Sequence, residues 1–235
     1  RFHSYSRLNQ TLFYMQGIEP QPVATFQRWR DVGRHVLKGS KAKQVIRPIT
    51  VKLKDQLDDQ GNPKTMTRFK LVNAIFALSD TEGPELPPVE TAEWSLERAL
   101  DVLDIKRVPF RMFEGNVQGY ATDRNLAISE VATDPLATAI HECGHIVLGH
   151  TAPEALAEYQ THRGIKEFQA ESTAYLALNE LEELTAERAT ESRGYIQGWL
   201  KGSAKPSDQA IRQVFTATDK IVNAGREQII SAEVA

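Results

Sequence analysis

The stretch Ala137-Thr138-Ala139-Ile140-His141-Glu142-Cys143-Gly144-His145-Ile146-Val147-Leu148-Gly149-His150 contains the pattern H-E-x-x-H. On a helix, positions i and i+4 share a face. His141 and His145 therefore point the same way, one turn apart, and can grip one metal ion through ring nitrogens. Glu142 lies beside them, where a carboxylate takes a proton from a water on the metal. Glu142 is the only charge in the stretch, and Ala139, Ile140, Ile146, Val147 and Leu148 flank the motif. The other side of the helix is expected to be buried. Just upstream, Thr133-Asp134-Pro135 is a helix start, with Asp134 as N-cap and Pro135 at the first helical position. Gly149 is the expected stop. Cys143 is the chain's single cysteine and reads as a small buried residue, so no disulfide framework is expected.

Two histidines do not hold a catalytic zinc ion; three protein ligands and a water do. Four downstream residues compete for the third place. His150 follows His145 by five residues, an offset that takes it off the His141/His145 face on a continued helix. His162 falls in an expected loop. Glu167 and Glu171 sit one turn apart in Glu167-Phe168-Gln169-Ala170-Glu171, on a helix expected from 166 to 183. One of them can bind the metal while the other accepts a ring N–H from a ligand histidine.

Working outward, 235 residues suffice for one large domain or two small ones, and 41% hydrophobic with 25% charged residues is the balance of a soluble globular protein. No apolar run approaches membrane-spanning length and no signal peptide is visible, so no membrane partner is expected; the single cysteine makes a reducing cytoplasm the expected setting. The net charge of −3 conceals an asymmetry. Residues 1–82 hold 14 Lys and Arg against 7 Asp and Glu; residues 83–235 hold 14 against 24. The expected division is a small basic α+β domain over 1–82 and a second domain over 83–235, separated by the Pro-, Gly- and Glu-rich run from Asp80 to Pro88. The whole is assigned to the α+β class.

In the first domain, helices are expected over 4–16 and from Thr25, the latter with Phe26, Trp29 and Val32 on one face and Gly33 at its end. A hairpin is expected around Lys38-Gly39-Ser40-Lys41, with a return strand over 45–53, a polar loop over 55–64, and a strand pair or one long strand over 65–78. In the second domain, a helix is expected over 91–103, a strand over 108–113, and a hairpin of 118–121 and 125–128 leading into the motif helix. Residues 195–200 are expected to cap the core, and a last amphipathic helix to run over 207–224.

H-E-C-G-H followed by E-F-Q-A-E resembles the zincin metallopeptidases that take a glutamate as third ligand. In those enzymes the first Glu of an E-x-x-x-D pattern binds the metal; here Glu171 stands where they have Asp. Over nearly its full length the chain resembles the ArdC-type antirestriction proteins of plasmids and phages. That likeness rests on Ser6-Arg7-Leu8-Asn9-Gln10-Thr11-Leu12, on the run from Thr25 to Gly39, and on Ser192-Arg193-Gly194-Tyr195-Ile196-Gln197-Gly198-Trp199-Leu200 after the metal motif. The resemblance implies an N-terminal single-stranded-DNA-binding domain and a C-terminal zincin-like metallopeptidase. One zinc ion would be held by His141, His145 and Glu167, with Glu142 catalytic and Glu171 behind the ligands. The protein or peptide substrate is unknown, and the oxyanion donor is open between Tyr120 and Tyr175. The strand near 125–128 is the expected edge for a substrate backbone. Single-strand binding needs a positive groove and aromatic faces. Arg28, Trp29, Arg30, Arg34, Lys38, Lys41, Lys43 and Arg47 form the candidate set, although at least one of Phe26 and Trp29 is expected in the core. The competing reading is a non-proteolytic protein that shields DNA and uses the zincin fold as a scaffold.

Overall fold

The computed structural model describes residues 5–57, 63–87, 93–112, 117–155, 162–200 and 205–227, with backbone alone at 50, 52–57, 63–67, 199 and 200. The chain divides into two compact units, Arg1–Pro88 and Val89–Ala235.

In the first unit, Phe13 on helix α1 (Arg7–Met15) is fully buried among Ile18, Val23, Val45, Ile75 and Ala77. The sheet beneath has the order β1 (Val23–Thr25), β4 (Pro63–Ala77), β3 (Lys43–Leu57), all antiparallel. Its free β3 edge is closed by two amides of α1. Asn9 donates to the Ile46 carbonyl at 2.9 Å and accepts from the Ile46 amide at 2.7 Å; Gln16 does the same for Gln44 at 3.0 and 2.7 Å. An exposed strand edge is thereby paired by side chains. Thr25 caps helix α2 (Phe26–Asp31) by accepting from the Arg28 amide.

The hairpin expected around Gly39 does not form. Strand β2 (His35–Val36) pairs instead with β5 (Thr81–Glu82). Arg34 explains the choice. It is buried, and its guanidinium donates to the Thr81 hydroxyl at 2.9 Å, to the carbonyls of Thr81 and Gly83 at 3.1 and 3.0 Å, and to that of Pro84. The run from Asp80 that reads as a linker is thus tied to the first unit as far as Pro84. The expected 65–78 segment is one long strand, and the 55–64 loop is shorter than expected because β3 continues to Leu57 and β4 starts at Pro63; residues 58–62 lie outside the described residues.

In the second unit, Ser95 caps helix α3 (Leu96–Val102). The helix starts later than the sequence suggests, because Trp94 forms a bridge to Arg226. Strand β6 (Lys106–Arg107) precedes the expected 108–113 strand, of which 108–112 form no strand and 113 is outside the described residues. β7 (Gly119–Thr122) and β8 (Asn125–Ile128) form the anticipated hairpin, in a sheet of order β6-β8-β7. Helix α4 (Pro135–Val147) starts as expected: Asp134 accepts from the Ala137 amide at 2.9 Å. It packs on β7, β8 and the helices α5 (Arg163–Leu181) and α7 (Asp208–Gly225). Leu126, Ile140, Cys143, Ala174, Leu178, Ile221 and Val222 form the shared core. In helix α6 (Ala186–Leu200), Tyr195 is 61% exposed and does not cap that core; the residues turned inward are Ala189 and Ser192. No described helix is long and apolar enough to cross a membrane.

Candidate metal centre

The centre is built where α4 meets α5, and Gly144 sets how closely they approach. A Cβ at Gly144 would stand 3.3 Å from the Ala170 carbonyl oxygen and 3.4 Å from its Cα. Two small residues, one per helix, let the backbones come together, and this carries Glu167 and Glu171 up to the histidine face of α4. His141, His145 and Glu167 then form a cluster of converging donor atoms.

The donors make a nearly regular triangle. His141 Nε2 and His145 Nε2 are 3.2 Å apart, and Glu167 Oε2 lies 3.5 and 3.6 Å from them. Tetrahedral coordination with bonds of about 2.0–2.2 Å requires ligand–ligand edges of about 3.3–3.6 Å. The donor set, two imidazoles and a carboxylate, is one that divalent first-row metals accept. The residues therefore fit a metal ion in type and in spacing.

The electrostatics agree. Burial alone would pull the His141 pKa down, but hydrogen bonds to Glu167 and Glu171 and the nearby charge of Glu142 outweigh it and push it up to about 10. Negative charge is in surplus here, and a cation answers it. Burial raises Glu142, with Glu167 adding to the rise; the two histidines and a backbone hydrogen bond from Ala121 partly offset this. A carboxyl raised in this way accepts a proton more readily than an ordinary glutamate. Burial pushes Cys143 up to about 12, which leaves it an inert thiol.

Behind each histidine stands a partner. His141 Nδ1 is 2.9 Å from Glu171 Oε2. The other oxygen of Glu171 accepts from the buried Ser192 hydroxyl at 2.6 Å and faces Arg188 Nη2 at 3.5 Å. For Glu171 burial alone would raise the pKa, but the hydrogen bonds from His141 and Ser192 and the charges of His141 and Arg188 turn the balance and lower it. Behind His145 lies His150, Nδ1 to Nδ1 at 3.1 Å, and behind that Gln169 at 3.2 Å. Burial and the charges of His145 and Lys166 bring His150 down to about 3, against a smaller upward pull from the Gln169 hydrogen bond and the charge of Glu167.

The positions of the expected residues follow. Glu167 joins the two histidines and Glu171 stands one layer back. His150 is not in the cluster, because its Nδ1 is turned to His145. His162 sits exposed at the start of α5 and is not in it either. Strand β8 is central in its sheet, so the free edge is β7, not 125–128. Tyr120 packs on Phe110, and neither it nor Tyr175 makes a described hydrogen bond to the cluster. Sequence reading missed Ser192, Arg188, Gln169 and Gln213, whose roles depend on distant helices meeting.

Two residues of the candidate DNA-binding set must be withdrawn. Trp29 is 2% exposed, with its indole donating to the Phe76 carbonyl at 3.0 Å, and Arg34 is consumed by the 81–84 carbonyls and the Thr81 hydroxyl. Neither can offer a free face. Lys43 faces Asp80 at 3.9 Å. Arg28, Arg30, Lys38, Lys41 and Arg47 are exposed.

These features define an α+β protein of two units, the second carrying a candidate His–His–Glu centre between an H-E-x-x-H helix and the helix packed on it. Residues 1–76 match the family model for the N-terminal domain of anti-restriction factor ArdC. Over 94% of its length the chain is similar to the crystal structure of antirestriction ArdC protein from R388 plasmid. The metal-free form matches with TM-score 0.52 and 17% identity over 82% of that chain; the Mn(II)-bound form matches with TM-score 0.54 and 16% identity over 85%. No curated protein matches. The first 76 residues thus carry the ArdC N-terminal domain, and the fold of the chain over nearly its full length is similar to that of the R388 protein.

Proposed function

We propose that the chain joins a zinc-dependent peptidase in its second unit to a single-stranded-DNA-binding first unit. The observation that carries the peptidase reading is the triangle of His141, His145 and Glu167 with the Glu142 carboxyl beside it. These three residues would hold the ion. Zinc bound there supplies Lewis acidity, which polarises a carbonyl and acidifies water. Glu142 accepts the proton of the attacking water and returns it to the leaving amine. Ala121 holds the Glu142 carboxyl by its backbone N–H, which points away from β8. The free edge of β7 is therefore next to the proton acceptor and can pair with an extended peptide backbone. A cleft of about 1100 Å³ lies on the Glu171 side of the centre, bounded by Thr138, one turn before His141, and by Arg188, which contacts Glu171.

The DNA reading draws on a separate observation, the β3–β4 ribbon. Cross-strand partners are Ile46↔Leu71, Arg47↔Lys70, Pro48↔Phe69 and Ile49↔Arg68. Side chains alternate between faces. One face thus shows Arg47, Arg68 and Lys70, and the other Ile46, Pro48, Phe69 and Leu71. Phe69 is 69% exposed and Leu71 47%. An exposed aromatic ring on one face suits base stacking, and the cations of the opposite face suit phosphate contacts. Long Arg and Lys side chains reach round the edges of a two-stranded ribbon.

The test of the peptidase reading is Glu142→Gln, with bound zinc quantified alongside cleavage of a denatured-protein library. Loss of cleavage with zinc retained is expected. If the variant cleaves as wild type does, Glu142 is not the proton acceptor. If neither protein cleaves and both protect single-stranded DNA from a nuclease, the shielding reading replaces this one.

A further inference from the structure

We propose that His150 is a positioning residue for the metal centre. It fixes His145 in the tautomer that leaves Nε2 bare, through a relay anchored on a backbone carbonyl of α7. The inference rests on the metal-centre reading above and adds to it a residue outside the ligand set.

The relay runs His145, His150, Gln169, Gln213. His145 Nδ1 lies 3.1 Å from His150 Nδ1, and His150 Nε2 lies 3.2 Å from Gln169 Oε1. Gln169 Nε2 donates to the Ala210 carbonyl at 3.3 Å and to Gln213 Oε1 at 2.9 Å. His145, His150 and Gln169 are each 5 or 6% exposed. Water therefore does not compete at these bonds, and a mismatched donor or acceptor would be costly.

Only one proton arrangement satisfies the chain, and the Ala210 carbonyl decides it. A backbone carbonyl only accepts and cannot flip, so the Gln169 NH₂ must face it and the Gln169 oxygen must face His150. That oxygen also only accepts, so the His150 proton sits on Nε2. The His150 ring is buried between His145 and Gln169 with no carboxylate among the described residues against it to hold a second proton, so its Nδ1 is a bare acceptor. His145 must supply the proton between the two rings and carries it on its own Nδ1. The His145 Nε2 lone pair is thereby left pointing at His141 and Glu167, as a metal ligand requires. Each link follows from the one before it, and the order runs from α7 inward.

Chain geometry explains why a residue five positions past His145 can do this. Gly149 adopts a left-handed conformation, φ +77°, and the His150 amide bonds back to the His145 carbonyl at 2.9 Å. The chain folds back on the last turn of α4 and brings the second ring under the first. A continued helix would have carried His150 to another face.

The experiment measures zinc affinity by competition titration of the full chain, and the His145 tautomer by long-range ¹⁵N–¹H NMR on the metal-free protein. His150→Phe fills the volume and cannot accept; it is expected to weaken zinc binding 10- to 100-fold with helical content unchanged. His150→Asn, whose side-chain oxygen can sit near the Nδ1 position, is expected to recover part of that loss. In wild type the His145 proton is expected on Nδ1, and in Gln169→Leu the two tautomers are expected to mix. Wild-type zinc affinity in His150→Phe, with binding abolished in His145→Ala, overturns the proposal and leaves the metal centre standing. Failure of wild type to bind zinc removes the metal centre itself. If His150→Phe does not fold, the wild-type NMR decides: a His145 proton on Nε2 refutes the relay, and one on Nδ1 supports it.

Discussion

Replacing Ser192 by alanine removes a single oxygen, and the structure sets what that costs. The hydroxyl is 1% exposed and donates to Glu171 Oε1 at 2.6 Å. No large cavity is left, so the loss is the hydrogen bond itself. Bonds to a charged group contribute about 1.5–3 kcal/mol. Glu171 Oε1 would then keep only Arg188 Nη2, at 3.5 Å and poorly placed to take over. At roughly 2–4 °C per kcal/mol for a protein of this size, Ser192→Ala is expected to lower the melting temperature of the metal-free protein by about 3–12 °C in calorimetry. The pH dependence has a definite sign. The Glu171 carboxyl is held below its ordinary range, so its contribution is complete above the unfolded carboxylate pKa and fades as pH falls through the folded one. The effect of Ser192→Ala should accordingly be full at neutral pH and shrink in acid. A double-mutant cycle with Glu171→Gln isolates the pair; a neutral amide accepts a weaker bond, so coupling of about 1 kcal/mol is expected. If Ser192→Ala melts within about 0.5 kcal/mol of wild type, or the two changes simply add, the hydroxyl does not hold Glu171 as described.

Three further outcomes follow from the packing. Gly144→Ala improves helix propensity but must push Ala170 back by a few tenths of an ångström; zinc affinity in titration calorimetry is expected to fall even if the melting temperature does not. Asn9→Leu strips the Ile46 amide and carbonyl of their partners, at a cost of about 2–3 kcal/mol for two bonds, and hydrogen exchange at the Ile46 amide should accelerate. Phe69→Ala touches nothing the core needs, so the fold should be unchanged, while binding of a fluorescent oligothymidylate should weaken by about 1–3 kcal/mol if a base stacks there; unchanged affinity would move the DNA surface off the ribbon.

The elements that sequence reading anticipated are those specified by their own ends. Asp134 and Pro135 start α4, Thr25 starts α2 and Ser207 caps α7, each by bonding an amide three residues on. The elements misread were those whose partner is far away. Lys38-Gly39-Ser40-Lys41 looks like a hairpin turn, and Gly39 does take a positive φ of 95°. The strand before it nevertheless pairs with residues 81–82, because a buried Arg34 needs the carbonyls there. No local pattern announces that a guanidinium will be satisfied nearly fifty residues downstream. Strands over 45–53 and 65–78 are legible, but the full length of the β3–β4 ribbon is not, for another reason. Beyond Val45 and Val72 its described side chains are exposed or half-buried and none is buried, so no alternation of buried and exposed positions betrays its true length.

The same division runs through the candidate metal centre. His141, Glu142 and His145 are legible because one helical turn places them, and only a family pattern favours Glu167 over Glu171. What supports those ligands was not legible, and this follows from how it is built. Ser192 reaches Glu171 from 21 residues away and Gln213 reaches Gln169 from 44. Serine and glutamine are ordinary surface residues, and only the fold brings Ser192 and Gln169 indoors and sets Gln213 at the rim beside them. The nearest thing to a signal was negative: Gly144 and Ala170 are small where two helices must touch. Small residues let α5 close on α4, and closure has two consequences at once. It brings Glu167 to the histidines, and it excludes water from the bonds behind them. The ligand geometry and the burial of its supports therefore depend on one contact. A change at Gly144 should loosen both, whereas a change at Ser192 or His150 should disturb one side and leave the other in place.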